Sequence, residues 1–132
     1  VVSQEWRGGE KEEFRAHGNG ALEEFPLVIL VNEGSASASE ILAGAIKIYR
    51  DEVRLVGKQT YGKGTVQELE PLRDGSAIKL TIAHWVLPDG KIIEGEGLEP
   101  DIEVELTEED VESDLDPQLE KAIEVLKSQI NR

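Results

Sequence analysis

Pro26-Leu27-Val28-Ile29-Leu30-Val31-Asn32-Glu33-Gly34-Ser35-Ala36-Ser37-Ala38-Ser39-Glu40-Ile41-Leu42 is the stretch whose reading decides the fold. Its first six residues form an uninterrupted apolar run, the pattern of a short strand covered on both faces. Asn32-Glu33-Gly34 then reads as a turn. Beyond it Ile41, Leu42, Ala45, Ile46 and Tyr49 recur at helical spacing, which predicts a helix over 37–49. Val53-Arg54-Leu55-Val56 belongs to a further strand, over 53–57. A strand (26–31), a helix and a strand within about thirty residues make a βαβ unit, two parallel strands joined by a right-handed crossover. The fold class is α/β.

Working outward, the chain opens as a hairpin, with strands near Val1–Trp6 and Glu12–His17 about the turn Arg7-Gly8-Gly9-Glu10. A loop through Gly18-Asn19-Gly20 leads to the apolar run. Downstream of the βαβ unit the period changes to two. Thr65 to Leu69 and Ala77 to Val86 read as antiparallel strands joined at Arg73-Asp74-Gly75-Ser76, and Pro88-Asp89-Gly90 turns the chain into Lys91-Ile92-Ile93. Ile102, Val104 and Leu106 alternate with acids as one more half-buried strand. Asp116 and Pro117 supply a helix start, as N-cap and first-turn proline, for a closing helix with the stripe Leu119, Ala122, Ile123, Leu126 and Ile130.

The 132 residues carry 28 acidic and 14 basic side chains, a net charge of −14, enough chain for one domain with a core but not two substantial ones. Such a surface repels polyanions, which argues against nucleic acid as a partner. From Glu99 to Arg132 there are 12 acidic and 3 basic residues, so the excess belongs mainly to the tail, which reads as a solvated surface. There is no cysteine, which excludes disulfides, thiolate nucleophiles and cysteine-bound zinc, and His17 and His84 are too few for a histidine-rich metal site. The longest nearly apolar run is six residues, far short of the roughly 20 a membrane helix needs. The start, Val1-Val2-Ser3-Gln4-Glu5-Trp6, is not that of a signal peptide, and the sequence contains no methionine; the chain is expected to be a piece of something longer.

Three segments carry candidate chemistry. Gly34-Ser35-Ala36-Ser37-Ala38-Ser39-Glu40 lies between a buried strand and a helix, where small residues let a substrate approach and unpaired N–H groups face a developing oxyanion. A serine there is placed as a nucleophile should be. Ser37 with Glu40 equally fits the S-x-x-E capping box, in which the serine only caps the helix. Gly57-Lys58-Gln59-Thr60-Tyr61-Gly62-Lys63-Gly64-Thr65 nearly matches a phosphate-binding loop. However, Gly64 occupies the position that needs a magnesium-binding hydroxyl, and a strand follows where that mechanism needs a helix. Lys63 is then either a surface lysine or a base. If the chain is already extended at Lys63, then Lys63, Thr65 and Gln67 project from one face, so that Gln67 either holds the lysine amine or is a polar residue on an edge strand. Together the segments describe a serine hydrolase without histidine, whose lysine serves as base when it is neutral and therefore shielded from water, with Ala36, Ala38 and the Tyr61 ring as the shielding neighbours.

Val31-Asn32-Glu33-Gly34-Ser35-Ala36-Ser37-Ala38-Ser39-Glu40-Ile41-Leu42-Ala43-Gly44-Ala45 resembles the nucleophile segment of the carboxyl-terminal processing proteases, or tail-specific proteases. Thr60-Tyr61-Gly62-Lys63-Gly64-Thr65-Val66-Gln67 resembles their lysine segment. Leu72-Arg73-Asp74-Gly75-Ser76-Ala77-Ile78-Lys79-Leu80-Thr81 and Gly95-Glu96-Gly97-Leu98-Glu99-Pro100-Asp101-Ile102 are similar to the two segments that follow. The resemblance covers most of residues 26–105. It implies a serine endopeptidase with a Ser-Lys dyad and a Clp protease/crotonase-like β-β-α core, cleaving protein substrates near their C-termini. Ser37 matches the nucleophile, Lys63 the general base, Gln67 the residue that orients the lysine, and the Ala38 N–H one oxyanion donor. No cofactor and no metal is implied.

Two departures accompany the match. Relatives carry an acid late in the nucleophile helix, where this chain has Lys47-Ile48-Tyr49 and one extra residue before Val53. The family's PDZ domain, and its upstream glycine segment with the second oxyanion donor, are not in this sequence. The division expected is a catalytic-core fragment over 1–106 and an acidic C-terminal extension over 107–132 that ends in a helix. The fragment is expected to be weak or inactive alone and to self-associate through apolar surface beside Val28 and Ile29. Its parent is expected to carry the PDZ domain upstream and, by resemblance, to act outside the cytoplasm, whether periplasmic, at the cell surface or in the thylakoid lumen. The rival reading is a non-catalytic ligand- or protein-binding module on the same fold, like the retinoid-binding proteins of the photoreceptor matrix.

Overall fold

A computed structural model describes residues 2–21 and 23–131. Val1 and Arg132, the expected first residue of the opening strand and last residue of the acidic extension, lie outside the described residues. The elements of the first half are β1 (Val2–Trp6), β2 (Lys11–Phe14), β3 (Val28–Val31), α1 (Ala38–Tyr49) and β4 (Arg54–Gly57). Those of the second half are β5 (Thr65–Pro71), β6 (Ala77–Val86), β7 (Ile102–Glu103), α2 (Glu108–Glu112) and α3 (Pro117–Ile130).

The βαβ unit is present. β3 and β4 pair in parallel, from Val28 opposite Arg54 to Val31 opposite Gly57, and α1 is their crossover. β7 adds in parallel on the other edge of β4. The remaining strands form an antiparallel sheet in the order β2-β1-β6-β5. Val31, Ala43 and Leu55 form a buried cluster with Ile29 and Leu98 packed against it, so the core sits between the parallel sheet and α1. β4, flanked on both edges, is the deepest strand, with Leu55 and Val56 at 0% exposure.

Four expectations change. β3 is an edge strand that packs against α3 as well as facing the core beside α1, but Leu30 stays 43% exposed, so the covering of the apolar run is incomplete. The strand expected over Ile102, Val104 and Leu106 shrinks to two residues, because its partner β4 ends at Gly57; the Val104 N–H reaches the Gly57 carbonyl at 2.9 Å and the ladder stops. The second hairpin strand occupies 11–14 rather than 12–17. The acidic stretch after Leu106 contains a short helix, α2, that hydrophobic periodicity did not announce.

Both long helices also bury a different face from the one their large apolar residues mark. In α1 the buried residues are Glu40, Ala43 and Gly44, while Leu42 and Tyr49 are exposed. Gly44 is where the helix comes closest: a Cβ there would lie 2.9 Å from the Leu87 side chain. In α3 the buried pair is Gln118 and Ala122, and Leu119, Ile123 and Ile130 are exposed. Gln118 donates to the Val104 carbonyl at 2.9 Å and Gln129 to the Glu52 carbonyl at 2.8 Å, so α3 is held by amide bonds to loops as well as by apolar contact.

Candidate active site

The site begins where β3 ends. The turn is tied internally: Ser35 N–H bonds the Asn32 carbonyl at 2.9 Å, and Asn32 N–H bonds the Ser35 hydroxyl at 3.1 Å. Ser37 follows at φ 55, ψ −114, outside the regions a side chain normally adopts, and α1 starts at Ala38. Such backbone strain in a non-glycine residue costs on the order of 1–3 kcal/mol and persists only where surrounding contacts impose it.

The contacts that impose it converge on Glu40, one turn into α1 and fully buried. Glu40 Oε2 accepts the Ser37 N–H at 2.8 Å and the Lys63 N–H at 2.9 Å. Its Oε1 accepts the Thr60 hydroxyl at 2.5 Å and the Gly62 N–H at 2.7 Å. One carboxylate therefore joins the serine turn to the lysine loop, and the backbone nitrogens of Ser37 and Lys63 share one oxygen. Burial, the largest influence, pushes the Glu40 pKa up. The bonds from Thr60, Lys63, Gly62 and Ser37 together outweigh it and hold the carboxyl below its ordinary value.

The lysine loop is fixed from its other side by the segment 94–98. Thr60 N–H bonds the Leu98 carbonyl at 3.0 Å, and Leu98 N–H returns to the Thr60 hydroxyl at 2.7 Å. Gly95 N–H bonds the Gly62 carbonyl at 2.9 Å, and Gly64 N–H bonds Glu94 at 2.7 Å. Gly62 has φ 83, and a Cβ there would stand 2.9 Å from the Gly97 nitrogen, so the approach of the two segments requires glycine. Tyr61 N–H also bonds the Ser35 carbonyl at 3.0 Å, a second tie between loop and turn.

The residues expected from the sequence are thus placed unequally. Ser37 and Lys63 are brought together through their backbones, but among the described residues no hydrogen bond joins Ser37 Oγ, Lys63 Nζ and the Gln67 amide. Ser37 and Glu40 have the layout of a capping box, yet its hydroxyl half does not reach hydrogen-bond geometry, which leaves the oxygen available. The Ala38 N–H, at the first position of α1, has no backbone acceptor among the described residues. Gln67 is exposed on β5. Thr65 stands opposite His84 and Gln67 opposite Thr81, so the unpaired residue, Ile82, belongs to β6. The alternation of β5 is kept, with Thr65 and Gln67 on one face. The shielding expected from Ala36, Ala38 and Tyr61 is not built within this chain: Lys63 and Ala38 are exposed and the Tyr61 ring is 68% exposed.

Glu40 and Thr60 are the residues that sequence reasoning missed. Glu40 was legible only as the last letter of a capping box, and nothing in Thr60 marked it as a bridge. The available signal was that each stands three residues from a candidate, after Ser37 and before Lys63.

A strand, a sharp turn holding a strained serine, and a helix N-terminus follow one another here, a layout that serine hydrolases also use. Comparison with known proteins gives the same class. Residues 1–104 match peptidase family S41. A probable CtpA-like serine protease of Staphylococcus epidermidis is 44% identical over 107 residues, 79% of this chain and 21% of that protein. The carboxy-terminal processing protease CtpA of Bacillus subtilis is 41% identical over 106 residues, 80% of this chain and 22% of that protein. The structure superposes on the photosystem II D1 C-terminal processing protease with a TM-score of 0.69 at 35% identity, covering 79% of this chain and 27% of that one. The chain belongs to peptidase family S41 and has the Clp protease/crotonase-like fold its motifs imply. It spans about a fifth of the length of the curated relatives it matches.

Proposed function

We propose that this chain carries the catalytic residues of a serine endopeptidase that cleaves proteins near their C-termini. Ser37 Oγ attacks the scissile carbonyl, Lys63 Nζ takes its proton and returns it to the leaving amine, and Gln67 orients Lys63. The Ala38 N–H is one oxyanion donor. The observation that carries this reading is the strained Ser37 at a helix N-terminus, its hydroxyl making no cap hydrogen bond among the described residues and its backbone joined through Glu40 to that of Lys63. Of the two neighbouring serines, Ser35 is engaged in the turn and Ser39 lies within α1.

The exposed Lys63 fits a core of this length that needs further chain to close its site. By the family resemblance the second oxyanion donor comes from an upstream glycine segment, and loss of one such donor costs roughly 10²–10³ in rate. The 132-residue chain by itself is therefore a weak or inactive enzyme, divided into a catalytic-core fragment over 1–106 and an acidic extension over 107–132. A PDZ domain upstream in the parent, an extracytoplasmic location, and self-association along the open β3 edge complete the proposal. The test is peptide cleavage by the full chain. Lys63→Ala and Lys63→Arg should each lose as much activity as Ser37→Ala, because members of a dyad act as a unit and arginine does not give up its proton. A Lys63→Ala protein that keeps most of the rate removes lysine from the mechanism.

A further inference from the structure

We infer that Glu40 and Thr60 form a positioning clamp that sets the distance between the serine turn and the lysine loop, an inference that rests on the roles proposed for Ser37 and Lys63. Neither clamp residue reaches the reacting atoms. Glu40 is fully buried and Thr60 is 6% exposed, so their hydrogen bonds are shielded from water. The four donors on Glu40 come from both sides of the site, Ser37 on one and Thr60, Gly62 and Lys63 on the other. The Thr60 hydroxyl is itself a relay, donating to Glu40 and accepting the Leu98 N–H at 2.7 Å, so the clamp extends to the 94–98 segment. The Ser37 N–H to Glu40 bond opposes relaxation of the strained φ, because turning that peptide would carry the N–H away from the carboxylate. A carboxylate suits this place because two oxygens accept four donors, whereas a glutamine amide would turn an NH2 toward two of them.

The test uses Thr60→Val, which keeps the shape and removes the hydroxyl, and Thr60→Ser, which restores it. Two readouts are taken in the full chain: amide hydrogen exchange at Ser37, Gly62 and Lys63, and the rate constant for fluorophosphonate labelling of Ser37 in the folded protein. Thr60→Val should speed exchange at all three amides and slow labelling about 10- to 100-fold, the effect of a displacement near 1 Å. Thr60→Ser should return both toward wild type. In peptide cleavage the loss should fall on kcat and leave KM nearly unchanged, a split that lower folded population does not produce once rates are scaled to folded protein. Unchanged exchange at Ser37 and Lys63 in a folded Thr60→Val protein overturns the clamp. If wild type labels at Ser35 or Ser39 instead of Ser37 while exchange responds as expected, the clamp stands as a tether and the nucleophile assignment fails.

Discussion

Two turns in this molecule have nearly the same letters and different surroundings. Ser37-x-x-Glu40 opens α1 and Thr107-x-x-Asp110 opens α2, each with a hydroxyl at the N-cap and an acid three residues on. At Thr107 the cap is ordinary: φ is −85, the hydroxyl accepts the Asp110 N–H at 3.2 Å, and among the described residues the Asp110 carboxylate bonds only Thr107, backbone and side chain. At Ser37 φ is positive, the hydroxyl makes no cap hydrogen bond among the described residues, and the Glu40 carboxylate serves three donors outside its own turn. The motif alone does not separate a helix cap from a site. What separates them is whether the acid is consumed locally or recruited by a second segment.

The largest expected effect follows from breaking that recruitment. Glu40→Ala leaves buried donors from both segments without an acceptor, and a buried unsatisfied donor costs roughly 1–3 kcal/mol. The unfolding free energy of Glu40→Ala should fall by about 3 kcal/mol or more in denaturant titration, and a loss below about 1 kcal/mol would mean the network is not formed in solution. Gly62→Ala comes next. Its φ of 83 and its contact with the Gly97 nitrogen should cost about 1–3 kcal/mol and displace the lysine loop, seen as changed amide shifts at Lys63.

Acid sharpens the comparison further. The Glu40 carboxyl titrates below its ordinary value in the folded state, so its contribution to stability is fully present above the unfolded value, near pH 4.3, and is lost as pH falls through the folded pKa. Asp101 acts in the same direction. Burial pushes its pKa up, but the Leu55 N–H and Lys47, 2.9 Å away, outweigh that and lower it. Stability should therefore be flat in these terms above about pH 5 and fall below it, and Glu40→Gln should flatten part of that acid limb. An unaltered limb would show that Glu40 is already protonated or unpaired in the folded protein. The smallest effect belongs to the other turn: Thr107→Ala should cost about 0.5–1 kcal/mol, the loss of an exposed cap, and leave Ser37 labelling untouched.

The same contrast explains what was legible in the sequence. The βαβ unit could be read because β3 and β4 carry their apolar residues in continuous runs, and the β5–β6 hairpin because its turn chemistry sits between alternating strands. The buried helix faces could not be read. α1 packs through Glu40, Ala43 and Gly44, and α3 through Gln118 and Ala122, so close approach and amide bonds decide orientation while Leu42 and Ile123 stay exposed. Ser37, Lys63 and Gln67 stood out through local spacing. Glu40 and Thr60 did not, because their importance lies in contacts 20 to 23 residues apart in the chain, which only the fold brings together. The shielding of Lys63 was expected from neighbours that the structure leaves open, since sequence proximity does not determine which side of a loop is covered.

The most direct test of the central claim, that Ser37 is a nucleophile served by Lys63, is to locate the fluorophosphonate adduct by peptide mapping in wild type and in Lys63→Ala. The account predicts a single adduct on Ser37, none on Ser35 or Ser39, and its loss in Lys63→Ala although the protein remains folded. An adduct on either neighbouring serine, or undiminished labelling of Ser37 without the lysine, would contradict it.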